Sequence, residues 1–337
     1  MAFERLAVLE FAYAEQSLVA AVIDVPNGHA YFSGATGPPR IMKVKLSDFS
    51  HVGSITLTVA AQPAPAAVID QPAGMMYFGS DELTSHVIKV RISDFTQVDA
   101  LHLEAGDNYL MSAVIDQANG FAYFGTRTNA AMCIKVNLST FLRAAKIDFT
   151  YNFPYAYSAI IDTLNGRAYF CTSTSPGKIF KVKLSDFTFE GTLTLNTGDN
   201  DIRCCVIDPT HGFAYFGTRQ TPARIAKVRL SDFTQVGMIE LETGENNAIS
   251  ACIDITNQYA YFGVETAPAI IVAVNLSSFT RAAAVTLESG ENYARSAVFD
   301  TANGFAYFGL GTAPGKVVKM GTAAAAHVSN MMLMGVD

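Results

Sequence analysis

Apolar residues recur along the chain in short runs broken by turn-forming residues. Four kinds of run alternate in a fixed order. They are SAVID at 112–116, FAYFG at 121–125, IAKVRL at 225–230 and VGMIEL at 236–241, with variants throughout. All four are rich in Val, Ile, Tyr and Phe, the residues that suit a pleated surface. We call them strands a, b, c and d. In IMKVKL, Lys43 and Lys45 alternate with Met42, Val44 and Leu46, the period of a strand with one apolar face. Strands a and b are apolar almost throughout, so they are expected to lie between other sheets. No long stretch shows the 3.6-residue period of an amphipathic helix.

The runs repeat with one period. The Asp that ends strand a stands at Asp24, Asp70, Asp116, Asp162, Asp208, Asp254 and Asp300, each step being 46 residues without insertion or deletion. Seven residues after each anchor comes a Tyr-Phe pair, from Tyr31-Phe32 to Tyr307-Phe308. Between a and b lies Asn27-Gly28, Asn119-Gly120, Asn165-Gly166 or Asn303-Gly304, a hairpin signal. The sixth copy has Asn257-Gln258 instead, which predicts a strained or differently shaped turn. Between c and d, an LSDF-type segment ends in Phe49, Phe95, Phe141, Phe187, Phe233 or Phe279, expected to plug the base of each unit. Equal four-stranded units of this length predict an all-β, seven-bladed β-propeller with four antiparallel strands per blade.

The chain ends complement each other. Residues 3–9 align with a strand d that no a, b or c precedes, and the last copy has a, b and c but no d. The N-terminal strand is therefore expected to close the ring as the outer strand of the last blade, near 316–320. Residues 1–322 read as one propeller of 46-residue repeats, and 323–337 as a non-repetitive tail.

Composition narrows the function. Of 337 residues, 23 are basic and 30 acidic, a formal net charge of -7. Such a balance draws no phosphate backbone at long range, and no nucleic-acid partner is expected. No apolar window is long enough for a spanning helix, so no membrane span is expected. The chain opens without an apolar leader, which predicts a cytoplasmic protein, or a secreted one if the N-terminus is trimmed. The expected state is a monomer. Cys133, Cys171, Cys204, Cys205 and Cys252 form no CxxC pair and mostly fill positions held by Ala, Val or Gly in other copies. They read as small core residues rather than as disulfides or metal ligands. The six His fall at unrelated repeat positions, and no phosphate-binding loop occurs, so neither a metal nor a cofactor is expected.

The unit at 114–141, with its Ile-Asp, Asn-Gly, Tyr-Phe-Gly and Ile-Lys-Val signature, resembles the repeat of the NHL and YVTN-type propellers. The resemblance covers residues 3–320 and implies the fold. These families include ligand-binding, scaffold and enzymatic members, so function must come from a site.

The anchors occur in every copy, whereas a catalytic group need occur only once. Asp24, Asp70, Asp116, Asp162, Asp208, Asp254 and Asp300 are therefore expected to cap their hairpins through backbone N–H groups. The positions that differ between copies are more informative. Seven and five residues ahead of the anchors stand Ser17 and Val19, Pro63 and Pro65, Tyr109 and Met111, Tyr155 and Tyr157, Asp201 and Arg203, Asn247 and Ile249, and Tyr293 and Arg295. This segment enters the innermost strand, so it should line the mouth of the central channel on the face of the d–a and b–c loops. Tyr109, Met111, Tyr155, Tyr157, Asp201, Arg203, Asn247, Tyr293 and Arg295 are the candidate binding residues, with a solvent-accessible surface suited to a protein, peptide or glycan. The alternative is a lyase or hydrolase in which Tyr157, Asp201, Arg203 and Arg295 act at the channel mouth.

Overall fold

The computed structural model describes residues 3–149 and 154–322. These form seven four-stranded antiparallel sheets, each a blade. In blade 3 the strands run a Leu110–Asp116, b Phe121–Thr126, c Met132–Asn137 and d Leu142–Asp148. The a strands of neighbouring blades pack side by side around the axis, and the d strands face outward.

Strand a explains its own placement. Its alternate residues are fully buried, as in Leu110, Ser112, Val114 and Asp116, while those between face the channel half-buried. Strand b is buried on both sides, because each blade is covered by the next. Ser112 Oγ donates to Ala156 O at 2.8 Å, Ser250 Oγ to Ala294 O at 2.6 Å and Ser296 Oγ to Leu18 O at 2.9 Å, tying one a strand to the next.

Each a–b hairpin is held at its anchor. The carboxylates of Asp70, Asp116, Asp162, Asp208, Asp254 and Asp300 accept backbone N–H groups of the turn, and Asp24 accepts the Asn27 side-chain amide at 2.9 Å. The glycine of the turn takes a positive φ, as in Gly120 at 72°. Gln258 adopts nearly the same conformation, at φ 56°. Its amide donates to Ile255 O at 2.8 Å and reaches across the seam to Asp208 Oδ2 at 2.9 Å, which offsets the cost of a side chain there.

The Phe of each c–d turn fills the seam between two blades. Phe95 lies against Tyr31, Phe141 against Tyr77, Phe187 against Tyr123, Phe233 against Tyr169, Phe279 against Tyr215 and Phe49 against Tyr307, with centroids 5.5–5.9 Å apart. The seventh pair is Phe3 on Tyr261, at 4.6 Å.

Ring closure follows the expected pairing. The strand Phe3–Glu10 runs antiparallel to Lys316–Thr322, with Phe3 opposite Thr322 and Glu10 opposite Lys316. A bulge between Arg5 and Ala7 interrupts the register. Arg5 makes a bidentate pair with the buried Glu291. The same clasp recurs around the outer rim. Arg281 holds Glu245, Arg143 and Lys146 hold Asp107, and Gln235 holds Asp199. The acid of each GDN or GEN loop is thus spent on the neighbouring blade.

The five cysteines are free thiols, and burial raises Cys133, Cys171, Cys204 and Cys252. Among the described residues no helix is long and apolar enough to cross a membrane. The tail read at 323–337 lies outside the described residues.

Candidate functional site

The seven residues five places ahead of the anchors meet at one end of the channel. Val19, Pro65, Met111, Tyr157, Arg203, Ile249 and Arg295 line a single cavity of about 300 Å³, together with Arg219 and Glu265. Six come from a strands that point the same way and begin six residues ahead of their anchors, and Pro65 stands just before the shorter a strand Ala66–Asp70. Below this ring the channel is lined by small side chains, alanines in six blades and Cys205 in the fifth.

The residues seven places ahead do not line that cavity. Their role is in the backbone. Ser17, Tyr109, Tyr155, Asp201, Asn247 and Tyr293 all take a left-handed conformation, with φ between 50° and 61°. All but Tyr155, whose carbonyl accepts Tyr157 N, are pinned from both sides. Tyr109 N donates to Glu82 O of the blade before at 3.0 Å, and Tyr109 O accepts Arg127 N of its own b–c loop at 2.7 Å. Asp201, Asn247 and Tyr293 repeat the arrangement with Thr174 and Arg219, Gln220 and Glu265, and Thr266 and Gly311. Pro63 cannot adopt this φ and stands outside the pattern. Of the candidate set Tyr293 is the most exposed, at 36%, and the others are half-buried.

The side chains form two linked groups. Arg203 stacks on Tyr157, its guanidinium carbon 3.7 Å from the ring centroid, and makes a bidentate pair with Asp201 at 2.7 and 3.1 Å. Tyr155 meets Tyr157 edge-on, with centroids 5.7 Å apart. Arg127 lies over Tyr109 at 4.8 Å and pairs with Asp81 at 2.8 Å. Glu265 receives Arg219 at 3.2 Å and stands 3.7 Å from Arg295, whose Nε is buried without a hydrogen-bond partner.

The polar groups are therefore on one side. The arc from Tyr157 to Arg295 carries three guanidiniums against the carboxylates of Asp201 and Glu265, and the arc of Val19, Pro65 and Met111 is apolar. Such an arrangement can grip an acidic group bidentately while an apolar group sits beside it. Among the described residues no group of His, Cys, Asp and Glu is disposed to hold a metal ion.

Neither Glu265 nor Arg219 was among the candidate binding residues. The signal was available eleven residues after the anchor. That position reads Asp81, Arg127, Arg219 and Glu265 in four of the copies, and the charges pair between blades 46 residues apart.

The fold is that of a known structure. U3-55K superimposes with a TM-score of 0.76 over 95% of this chain and 100% of that one, at 9% identity. At that identity the likeness is one of fold alone. No protein-family model matches the chain. No curated protein matches it in sequence.

Proposed function

We propose that this propeller is a non-catalytic binding module that holds a protein, peptide or glycan on the d–a and b–c loop face around its channel. The observation that carries the reading is the ring of Val19, Pro65, Met111, Tyr157, Arg203, Ile249 and Arg295. These are positions where the copies differ, and they converge on one cavity while the repeated positions are buried. We read the blades themselves as NHL- or YVTN-type on the signature at 114–141. Three guanidiniums beside an apolar arc favour a ligand that carries an acidic group next to an apolar one.

Peptide and glycan arrays probed with the wild-type protein and with Arg203→Ala/Arg295→Ala test the proposal. Acidic sequences or acidic glycans should be retained by the wild type and lost by the double variant. Absence of binding to either class, together with a turnover activity, would overturn it.

A further inference from the structure

At the opposite end of the strands, the seam between blades 6 and 7 departs from the repeat at the residue facing the seam Tyr. In six blades a Lys of strand c stands directly across from the seam Tyr of strand b. The pairs are Lys43–Tyr31, Lys89–Tyr77, Lys135–Tyr123, Lys181–Tyr169, Lys227–Tyr215 and Lys319–Tyr307. These ammonium groups do not simply point to solvent. Lys89 Nζ is 5.9 Å from the Tyr77 ring and 5.3 Å from Phe141 of the next blade. Lys227 Nζ is 5.7 Å from Tyr215, 5.2 Å from Phe279 and 4.1 Å from Phe213. Burial depresses Lys135, Lys227 and Lys319, and the anchor Asp of the same blade acts in the opposite sense on each. In each of the six seams the ammonium lies within 6 Å of at least one ring centroid, a contact that offsets part of the cost of burying it.

Blade 6 lacks the cation and its rings close up: Phe3 stacks on Tyr261 with centroids 4.6 Å apart and 18° between the planes, where the other six pairs are tilted by 35–50°. Ala273 stands across from Tyr261. Phe3 supplies the ring from the next blade, and Tyr259 occupies the place of Phe121, Phe213 and Phe305. Asp254 remains buried, accepting Asn257 N at 3.0 Å and Asn257 Nδ2 at 2.7 Å. The vacated space is a cavity of about 580 Å³ lined by Phe3, Asp254, Asn257, Tyr259, Tyr261 and Ala273, among others. The corresponding space in blade 4 is about 340 Å³ and is lined by its own Arg167 and Lys181. Tyr261 is 8% exposed, against 0–2% for its six counterparts.

We propose that the seam between blades 6 and 7 binds the primary alkylammonium group of an external ligand, in the position that a lysine of the chain occupies in the other six seams. The ligand chemistry is a cation on a slender apolar stem, the end of a lysine side chain or of a free polyamine. The stem would pass between Ala273 and the Tyr259 ring, and the cation would face Tyr261, Phe3 and Asp254. The site is independent of the channel mouth.

The probe is n-butylammonium, titrated into the full chain and followed by the NMR signals of the aromatic and alanine side chains. We expect a saturable millimolar response confined to Tyr259, Tyr261 and Ala273, the range for a ligand of so few atoms. The neutral isostere n-butanol should give none. Ala273→Lys should refill the seam with its own ammonium and weaken binding at least 10-fold. Lys227→Ala should open a second site and add a response at Tyr215. Arg203→Ala at the mouth should leave the titration unchanged. A lysine tripeptide tighter than n-butylammonium supports the site and assigns the cation to a protein partner; spermidine tighter than both supports it and assigns a polyamine. No saturable response from the wild type, an equal response to n-butanol, or full binding retained by a folded Ala273→Lys protein would overturn the proposal. Should Ala273→Lys fail to fold, a Lys227→Ala protein with no added response overturns it equally.

Discussion

The two ends of the channel axis treat the repeat in opposite ways. At the mouth, the same position holds Val, Pro, Met, Tyr, Arg, Ile and Arg in turn. At the seams below, Tyr meets Phe seven times and Lys covers six of the seven pairs. A position that must satisfy the same neighbours in every blade admits little variation, because each blade is packed on both sides. A position that faces the open channel has no such duty. Repetition therefore marks what holds the ring, and departure from it marks where a ligand can be read. The seam of blade 6 is the informative exception, because it departs at a position that is otherwise structural.

The largest effect is expected at the closure. Deleting residues 1–10 removes the strand that covers Lys316–Thr322, leaves a bare sheet edge and strands the buried Glu291 without Arg5. The ring should lose its cooperative melt, measured by circular dichroism. A deletion protein melting at the wild-type temperature would contradict the pairing.

Next comes a seam inside the ring. Tyr215→Ala empties a fully buried site between blades 5 and 6 and should cost about 3–5 kcal/mol in denaturant unfolding. Asp116→Ala leaves the turn N–H and the Asn119 amide without their acceptor and should cost about 1–3 kcal/mol. Equal losses from Tyr157→Ala at the mouth would erase the distinction between the two ends.

The seams also set the alkaline limit. Burial raises the phenols of all seven seam tyrosines, with Tyr77 and Tyr169 pushed up to about 12. A folded-state value above the unfolded one, about 10, means that this stabilisation is complete below pH about 10 and is lost as the pH rises toward about 12. The depressed Lys135, Lys227 and Lys319 act in the opposite sense, but they are three half-buried groups against seven buried phenols. The share of tyrosinate absorbance due to these seven of the 14 tyrosines should therefore rise together with the loss of sheet signal. A gradual rise centred near pH 10 for every tyrosine, with the sheet intact, would show that the seam phenols are not protected.

Much of this was legible in the chain because the repeat is undisturbed. The anchors fixed blade number and strand order, and the displaced strand at 3–9 fixed the closure, since both are properties of sequence position. The rim clasps were not legible. Glu245 and Arg281, or Glu291 and Arg5, meet only once neighbouring blades are stacked. The face of strand c was half legible. The alternation of Lys43 with Met42 and Val44 reads as a solvated side, yet Lys43 turns into a seam lined by Tyr31 and Phe95. At the mouth, spacing located Val19 through Arg295, but it did not separate the residues that line the cavity from Tyr109, Asp201 and Asn247, which hold the rim through left-handed backbone. Gln258 shows the same limit: the turn keeps its shape because of Asp208 in another blade.

The division between ring and recognition is tested most directly by one protein, Tyr157→Ala/Arg203→Ala/Arg295→Ala, melted beside Tyr215→Ala. Exposed and half-exposed ion pairs contribute about 0–1 kcal/mol each, and a 1 kcal/mol change moves the midpoint of a ring this size by a few degrees. The triple mouth variant should melt within about 5 °C of the wild type while Tyr215→Ala falls well below it. A triple variant that melts as low as Tyr215→Ala would mean that the mouth holds the ring together.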